Sequence, residues 1–160
     1  MGAVEDRLAV LGHTVPEVVP PVAVYVPAVR SGDHVFTSGQ LPMRGGQLLA
    51  TGKVGAQVDA GQAQQAAAQC ALNAIAAIRA LIGDLDLVER VVKVVCYVAS
   101  DPGFTGQPGV ANGASTLLGE AFGDAGVHAR SAVGVTVLPL DAPVEVEVVV
   151  EVRPGGHADA

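Results

Sequence analysis

At 160 residues the chain is expected to form one domain. Half of its residues are hydrophobic and only 16% are charged, so a filled core is expected, and with aromatics at 3% that core must be built from Val, Ala, Leu and Ile. A net charge of -7, with nine basic residues that never form a run, argues against nucleic-acid binding, which needs clustered Lys and Arg.

Residues 3 to 11 suit a short helix, with Val4, Leu8 and Leu11 on one face and Gly12 as its stop. Pro16, Pro20 and Pro21 then impose an extended connection. The run from Val22 to Arg30 reads as a strand, with Pro27 placing part of it at an edge or bulge. Ser31-Gly32-Asp33 is a turn, and residues 34 to 40 form the second strand of a hairpin. Gly45-Gly46 makes another turn before a short strand over 47 to 50.

Residues 61 to 82 give the clearest helix, with apolar positions from Ala63 to Ile82 at three- and four-residue spacing. Asp59 is its expected N-cap and Gly83 its stop. A strand over 89 to 99 follows, apolar on nearly both faces, and then a helix over 108 to 122. The final strands cover 130 to 138 and 144 to 152, joined around Pro139 and Pro143. Strands and helices do not strictly alternate, so the expected class is α+β: a mixed sheet with two helices packed on one face. The other face of the strand at 91 to 99 then needs another subunit, which predicts an oligomer.

Cys70 and Cys96 lie in apolar stretches and read as buried free thiols. No C-x-x-C or Cys/His spacing marks a zinc site. The N-terminus has no basic region followed by an apolar run, and no stretch of about 18 apolar residues marks a membrane span. The expectation is a cytoplasmic protein without a signal peptide.

The most informative stretch runs from His128 to Val152. It places Arg130 at a strand entrance and Glu145, Glu147 and Glu151 on one face of the closing strand. A guanidinium grips a carboxylate through two parallel hydrogen bonds. A nearby carboxylate accepts a proton from water or orients it. From the residues alone, a surface or interface ion pair for Arg130 and a solvated face for the glutamates remain open.

Three motifs in order sharpen this reading. T-S-G-Q-L-P stands at 37 to 42, A-R-S-A-V-G-V-T-V-L-P at 129 to 139, and V-E-V-E at 144 to 147. The chain resembles the RidA/YjgF family of reactive-intermediate deaminases, over about residues 22 to 152. The resemblance implies a chorismate-mutase-like α+β fold, a homotrimer with inter-subunit sites, and hydrolysis of 2-imino acids or enamines to 2-keto acids and ammonia. It implies no metal or organic cofactor, and a small carboxylate-bearing substrate. By position, Arg130 matches the arginine that grips the carboxylate, and Glu145 the glutamate associated with the attacking water. Tyr25, Ser38, Gly39 and Asn112 match pocket residues, and Ala132 stands where the family often has cysteine.

Ser38 reads equally as a turn residue, and Tyr25 equally as core. His128 replaces a common family proline and reads as a loop residue near the pocket. The implied organisation is an N-terminal extension over 1 to 21, a RidA-like domain over 22 to 153 and a flexible tail over 154 to 160. The alternative functions are a non-catalytic trimer that binds small carboxylic acids and, against the charge, an endoribonuclease.

Overall fold

The computed structural model describes residues 2–18, 21 and 23–154. The expected tail therefore lies almost wholly outside the described residues, as does the expected strand start at Val22. The first helix, α1 (Ala3–Val10), has Val4 and Leu8 buried. Its first amides are satisfied from a distance, because the Asp86 carboxylate accepts from Ala3 N at 2.7 Å and from Val4 N at 3.0 Å.

The first hairpin, β1 (Ala28–Ser31) and β2 (His34–Thr37), is shorter than expected. Residues 23–25 bend instead of extending, and Pro27 has no N–H to offer a ladder. Beyond β2 the backbone leaves the sheet, and it returns where Gln40 bridges Val146 and where Val54 N donates to Ala99 O. The expected strand near 47 is real but does not join the main sheet. It is β4 (Gln47–Leu48), paired only with β3 (Met43–Arg44) around Gly45 and Gly46.

Helix α2 (Ala60–Ile82) starts as its sequence implies. Asp59 Oδ1 accepts from Gln62 N at 2.8 Å, and Gln62 Oε1 accepts from Asp59 N at 3.0 Å. It ends at Gly83, whose φ of 81° suits a residue without Cβ. Length and apolar composition would let α2 cross a membrane, yet here it is the core helix, buried against the sheet and against α3 (Gln107–Phe122). The two helices meet closely, since a Cβ on Gly113 would lie 1.9 Å from Gln64 O.

The remaining strands are β5 (Val88–Ala99), β6 (Ala129–Val135) and β7 (Val144–Val152). The sheet order is β1-β2-β7-β5-β6, and only β5 and β6 run parallel. The helices α2 and α3 cover one face, as the pattern predicts. Val144, Val146, Val148, Val150 and Val152 of β7 all point to that side and are buried. On the other face lie Glu145, Glu147, Val149 and Tyr97, beside exposed Val29, Phe36 and Val133. Cys70 and Cys96 are buried and free, and burial raises both thiols, that of Cys96 to about 12.

Candidate functional site

The two residues expected to share a site do not meet within one chain. The final two strands follow each other in sequence, but β5 lies between them in the sheet. Arg130 is in register with Val94, and Val94 with Val148, which places it on the helix-covered side. Glu145 is in register with Tyr97, on the open side. Strand alternation separates the two by the full sheet. Within one chain, then, the cation and the carboxylates of the closing strand lie on opposite faces of the sheet.

Arg130 is held by the start of α3. Its Nη1 donates to Asn112 Oδ1 at 2.8 Å and to Ser115 Oγ at 3.2 Å, and its Nη2 donates to Pro108 O at 3.3 Å. Of five N–H donors, three are used. Among the described residues the Nε–H and one Nη2–H have no partner, and the Nε/Nη2 edge is the one that makes a side-on fork for a carboxylate. Asn112 thus acts through Arg130, as an acceptor that fixes the guanidinium plane.

His128 extends this network. Its Nδ1 lies 2.6 Å from Gly126 O, which only accepts, so Nδ1 carries the proton. Nε2 is then bare and accepts from Ser115 Oγ, 2.9 Å away. Ser115 donates to His128 and accepts from Arg130. Sequence reasoning passed over Ser115, although it stands three residues after Asn112 on the same helix face. Ala132 follows Arg130 on the same side, in register with Cys96 and packed against the core.

The second group surrounds Glu145. Its carboxylate is half-buried, and burial, followed by the charge of Glu147, raises its pKa above the ordinary range. Gly39 backs directly onto it, and a Cβ there would lie 1.8 Å from Glu145 Oε1. Glycine is required for that close approach rather than for a special φ. Tyr97 donates to Glu147 Oε1 at 3.2 Å, and burial first, then Glu147, raises its phenol. Its place beside Glu145 follows from strand register, which the sequence did not disclose.

Ser38 hydrogen-bonds into its own turn, with Oγ donating to Val26 O at 2.7 Å. Tyr25 is partly exposed and lines a cavity together with Gly39. The seven residues therefore fall into two separate groups: Asn112, Arg130 and Ala132 on one side of the sheet, and Tyr25, Ser38, Gly39 and Glu145 in the other. Among the described residues, no cluster of three or more His, Cys, Asp or Glu side chains is arranged to hold a metal ion.

Known proteins bear on this arrangement. The family model described as "YjgF/chorismate_mutase-like, putative endoribonuclease" matches residues 5–152. The chain is 45% identical over 153 residues to Protein TCP17 of Trypanosoma cruzi, covering 95% of this chain and 96% of that one. A Shewanella oneidensis crystal structure, named "putative endoribonuclease", superposes with a TM-score of 0.92 at 31% identity, covering 94% of this chain and 100% of that one. TdcF of E. coli, solved with bound serine, is 25% identical with a TM-score of 0.59, covering 87% and 93% of the two chains.

Proposed function

Because this chain belongs to the YjgF/chorismate-mutase-like family, we propose that its two half-sites combine across subunits to hydrolyse 2-imino acids and enamines. The products are 2-keto acids and ammonia, and no cofactor takes part. The observation that carries the reading is the pair of unused Arg130 donors, held in plane by Asn112, Ser115 and Pro108. A substrate carboxylate fits that fork, and the adjoining imine carbon is then fixed for attack.

The half-site of a neighbouring copy supplies Glu145. Its carboxylate accepts a proton from water as the oxygen adds to the imine carbon. That proton passes to nitrogen; the new hydroxyl then gives up its own proton, which the carboxylate also relays to nitrogen, so the carbon–nitrogen bond breaks and ammonia leaves as the carbonyl forms. An enamine is first protonated at carbon to give the imine. The raised pKa suits a base, since it makes the carboxylate a better proton acceptor. A homotrimer fits this plan, because the helix-free face leaves Val29, Phe36 and Val133 exposed beside Glu145. A net charge of -7 gives an RNA backbone little to hold, which disfavours the endoribonuclease named among relatives.

The test uses imines freshly made by an amino-acid oxidase, with ammonia release followed in the presence and absence of the protein. Arg130→Ala and Glu145→Gln should each be strongly impaired alone. Mixed and reassembled, they should regain activity at about one quarter of the sites, since each site draws its halves from two copies. Keto-acid binding without faster ammonia release would leave a non-catalytic acid-binding trimer. RNA cleavage that persists in Arg130→Ala after rigorous nuclease removal would restore the endoribonuclease reading. A stable monomer at micromolar concentration in light scattering would sink the shared site.

A further inference from the structure

Beside Gly39 lies a cavity of about 490 Å³ that neither Arg130 nor Glu145 lines. Small-molecule sites run about 300–1,000 Å³. Its apolar walls include Pro16 and Val18 near the N-terminus, Leu41 and Met43 before and within β3, and Leu140 after β6, with Gln69 and Asn73 of α2 beneath. Gly39 faces this cavity and also abuts the Glu145 carboxylate. An occupant therefore lies one residue away from the proposed base.

The two side-chain amides at its floor are engaged, while Arg44 lines the cavity with only its Nε bonded among the described residues. Asn73 Nδ2 donates to Leu41 O and Met43 O, each at 3.0 Å. Asn73 Oδ1 accepts from Gln69 Nε2 at 3.0 Å, and Gln69 Oε1 accepts from Arg44 Nε at 3.0 Å. Among the described residues, no buried side-chain nitrogen or oxygen lacks a partner. The floor presents no vacant buried polar atom, so recognition there rests on apolar contact.

The rim carries a second signal. Leu140 and Asp141 both have φ of 58°, a region that non-glycine residues enter at a cost. Lys53 Nζ holds Asp141 Oδ1 at 2.7 Å, and Gly52 N donates to Asp141 O at 2.9 Å. This strained turn leaves Leu140 59% exposed at the cavity. The opposite wall is also tied down, since Arg79 donates to Glu5 and to the carbonyls of Val15 and Pro16.

We infer that this cavity receives the hydrocarbon side chain of the substrate. The preferred class is then 2-imino acids with long or branched aliphatic side chains, not the small ones that would leave the cavity empty. The inference rests on the proposed deaminase reading for the placement of carboxylate and reacting carbon.

The experiment is calorimetric titration of the full chain with unbranched 2-keto acids from pyruvate to 2-oxooctanoate. Affinity should rise about fourfold per added methylene until the cavity is filled, the factor that corresponds to about 0.8 kcal/mol per buried CH₂. Leu140→Gly relieves the left-handed backbone, so it should fold at least as stably while flattening that rise. Val18→Trp, which fills the cavity, should flatten it too, with thermal melting as the folding control. A flat series in wild type, with binding that still depends on Arg130, would overturn the cavity assignment and leave the proposed function standing. A rising series without any imine hydrolysis would do the reverse. A preference for the diacid of equal length that vanishes in Arg44→Gln would overturn the apolar assignment in favour of a second anion contact.

Discussion

Arg130 and Glu145 are held in opposite ways. The arginine sits on edge strand β6, and side chains and a carbonyl of α3 fix its guanidinium. The glutamate sits on β7 inside the sheet, and among the described residues no hydrogen bond or ion pair restrains its carboxylate. It is confined instead by the bare backbone of Gly39 and by the like charge of Glu147. A group that positions a substrate gains from immobilised donors. A group that moves protons gains from a partly desolvated, unpaired carboxylate.

The largest effect that probes this contrast is expected at Glu145. Glu145→Gln should keep keto-acid binding and lower turnover about 100- to 10,000-fold, since the amide accepts no proton. In wild type, turnover should fall with decreasing pH through a value above the ordinary 4.5, where the raised carboxylate protonates. The stability sign is opposite. A raised folded-state pKa stabilises the fold when the group is protonated, and that contribution is lost as pH rises through the raised value. Glu145→Gln should therefore melt slightly above wild type at neutral pH. Solvent screening keeps the gain below about 1 kcal/mol, and it should vanish in acid. Unchanged turnover on a confirmed substrate would reassign the base.

Gly39→Ala tests the confinement itself. The new methyl has nowhere to go but into Glu145 Oε1, so the carboxylate must shift. A displacement of about 1 Å costs up to about 100-fold in rate. The φ of Gly39 is not in the positive region, so folding should survive. Retained turnover in a folded variant would show that the carboxylate has freedom to spare.

At the other half-site the expected effects are on binding. Arg130→Ala should lose a charge-assisted contact of about 1.5–3 kcal/mol, roughly ten- to a hundred-fold in keto-acid affinity. Arg130→Lys should recover little, because a single ammonium cannot form the side-on fork. Calorimetry beside thermal melting checks both. Equal affinity in all three folded proteins would remove the carboxylate clamp.

The smallest effect belongs to Ser115→Ala. It removes one of three restraints on Arg130 and the donor to His128 Nε2. A neutral hydrogen bond contributes about 0.5–1.5 kcal/mol net, so keto-acid affinity should fall by about tenfold at most. Ser115→Thr, which keeps the hydroxyl, should restore it. A loss as large as that of Arg130→Ala would mean that Ser115 itself touches the ligand.

Local pattern alone was enough for much of this molecule. The Val/Glu alternation of residues 144 to 152 announced a two-faced strand, and its valines are the buried face. Asp59, the alanine-rich run and Gly83 announced α2 with both ends, because caps and helical period are written in near neighbours. The motifs around Ser38, Arg130 and Glu145 pointed to the family and to the residues of interest.

What local pattern could not carry was which elements lie side by side. The connection through Pro139 and Pro143 looks like a tight link between adjacent strands, yet β5 enters between them from 30 residues upstream. Register then decides the face, and a shift of one residue would have moved Arg130 to the side of Glu145. Likewise no spacing in the sequence brings Asp86 to the start of α1, Tyr97 beside Glu145, or Val18 and Leu140 to one cavity. Those contacts join residues far apart in the chain, and they exist only once the sheet order and the packing of both helices are set.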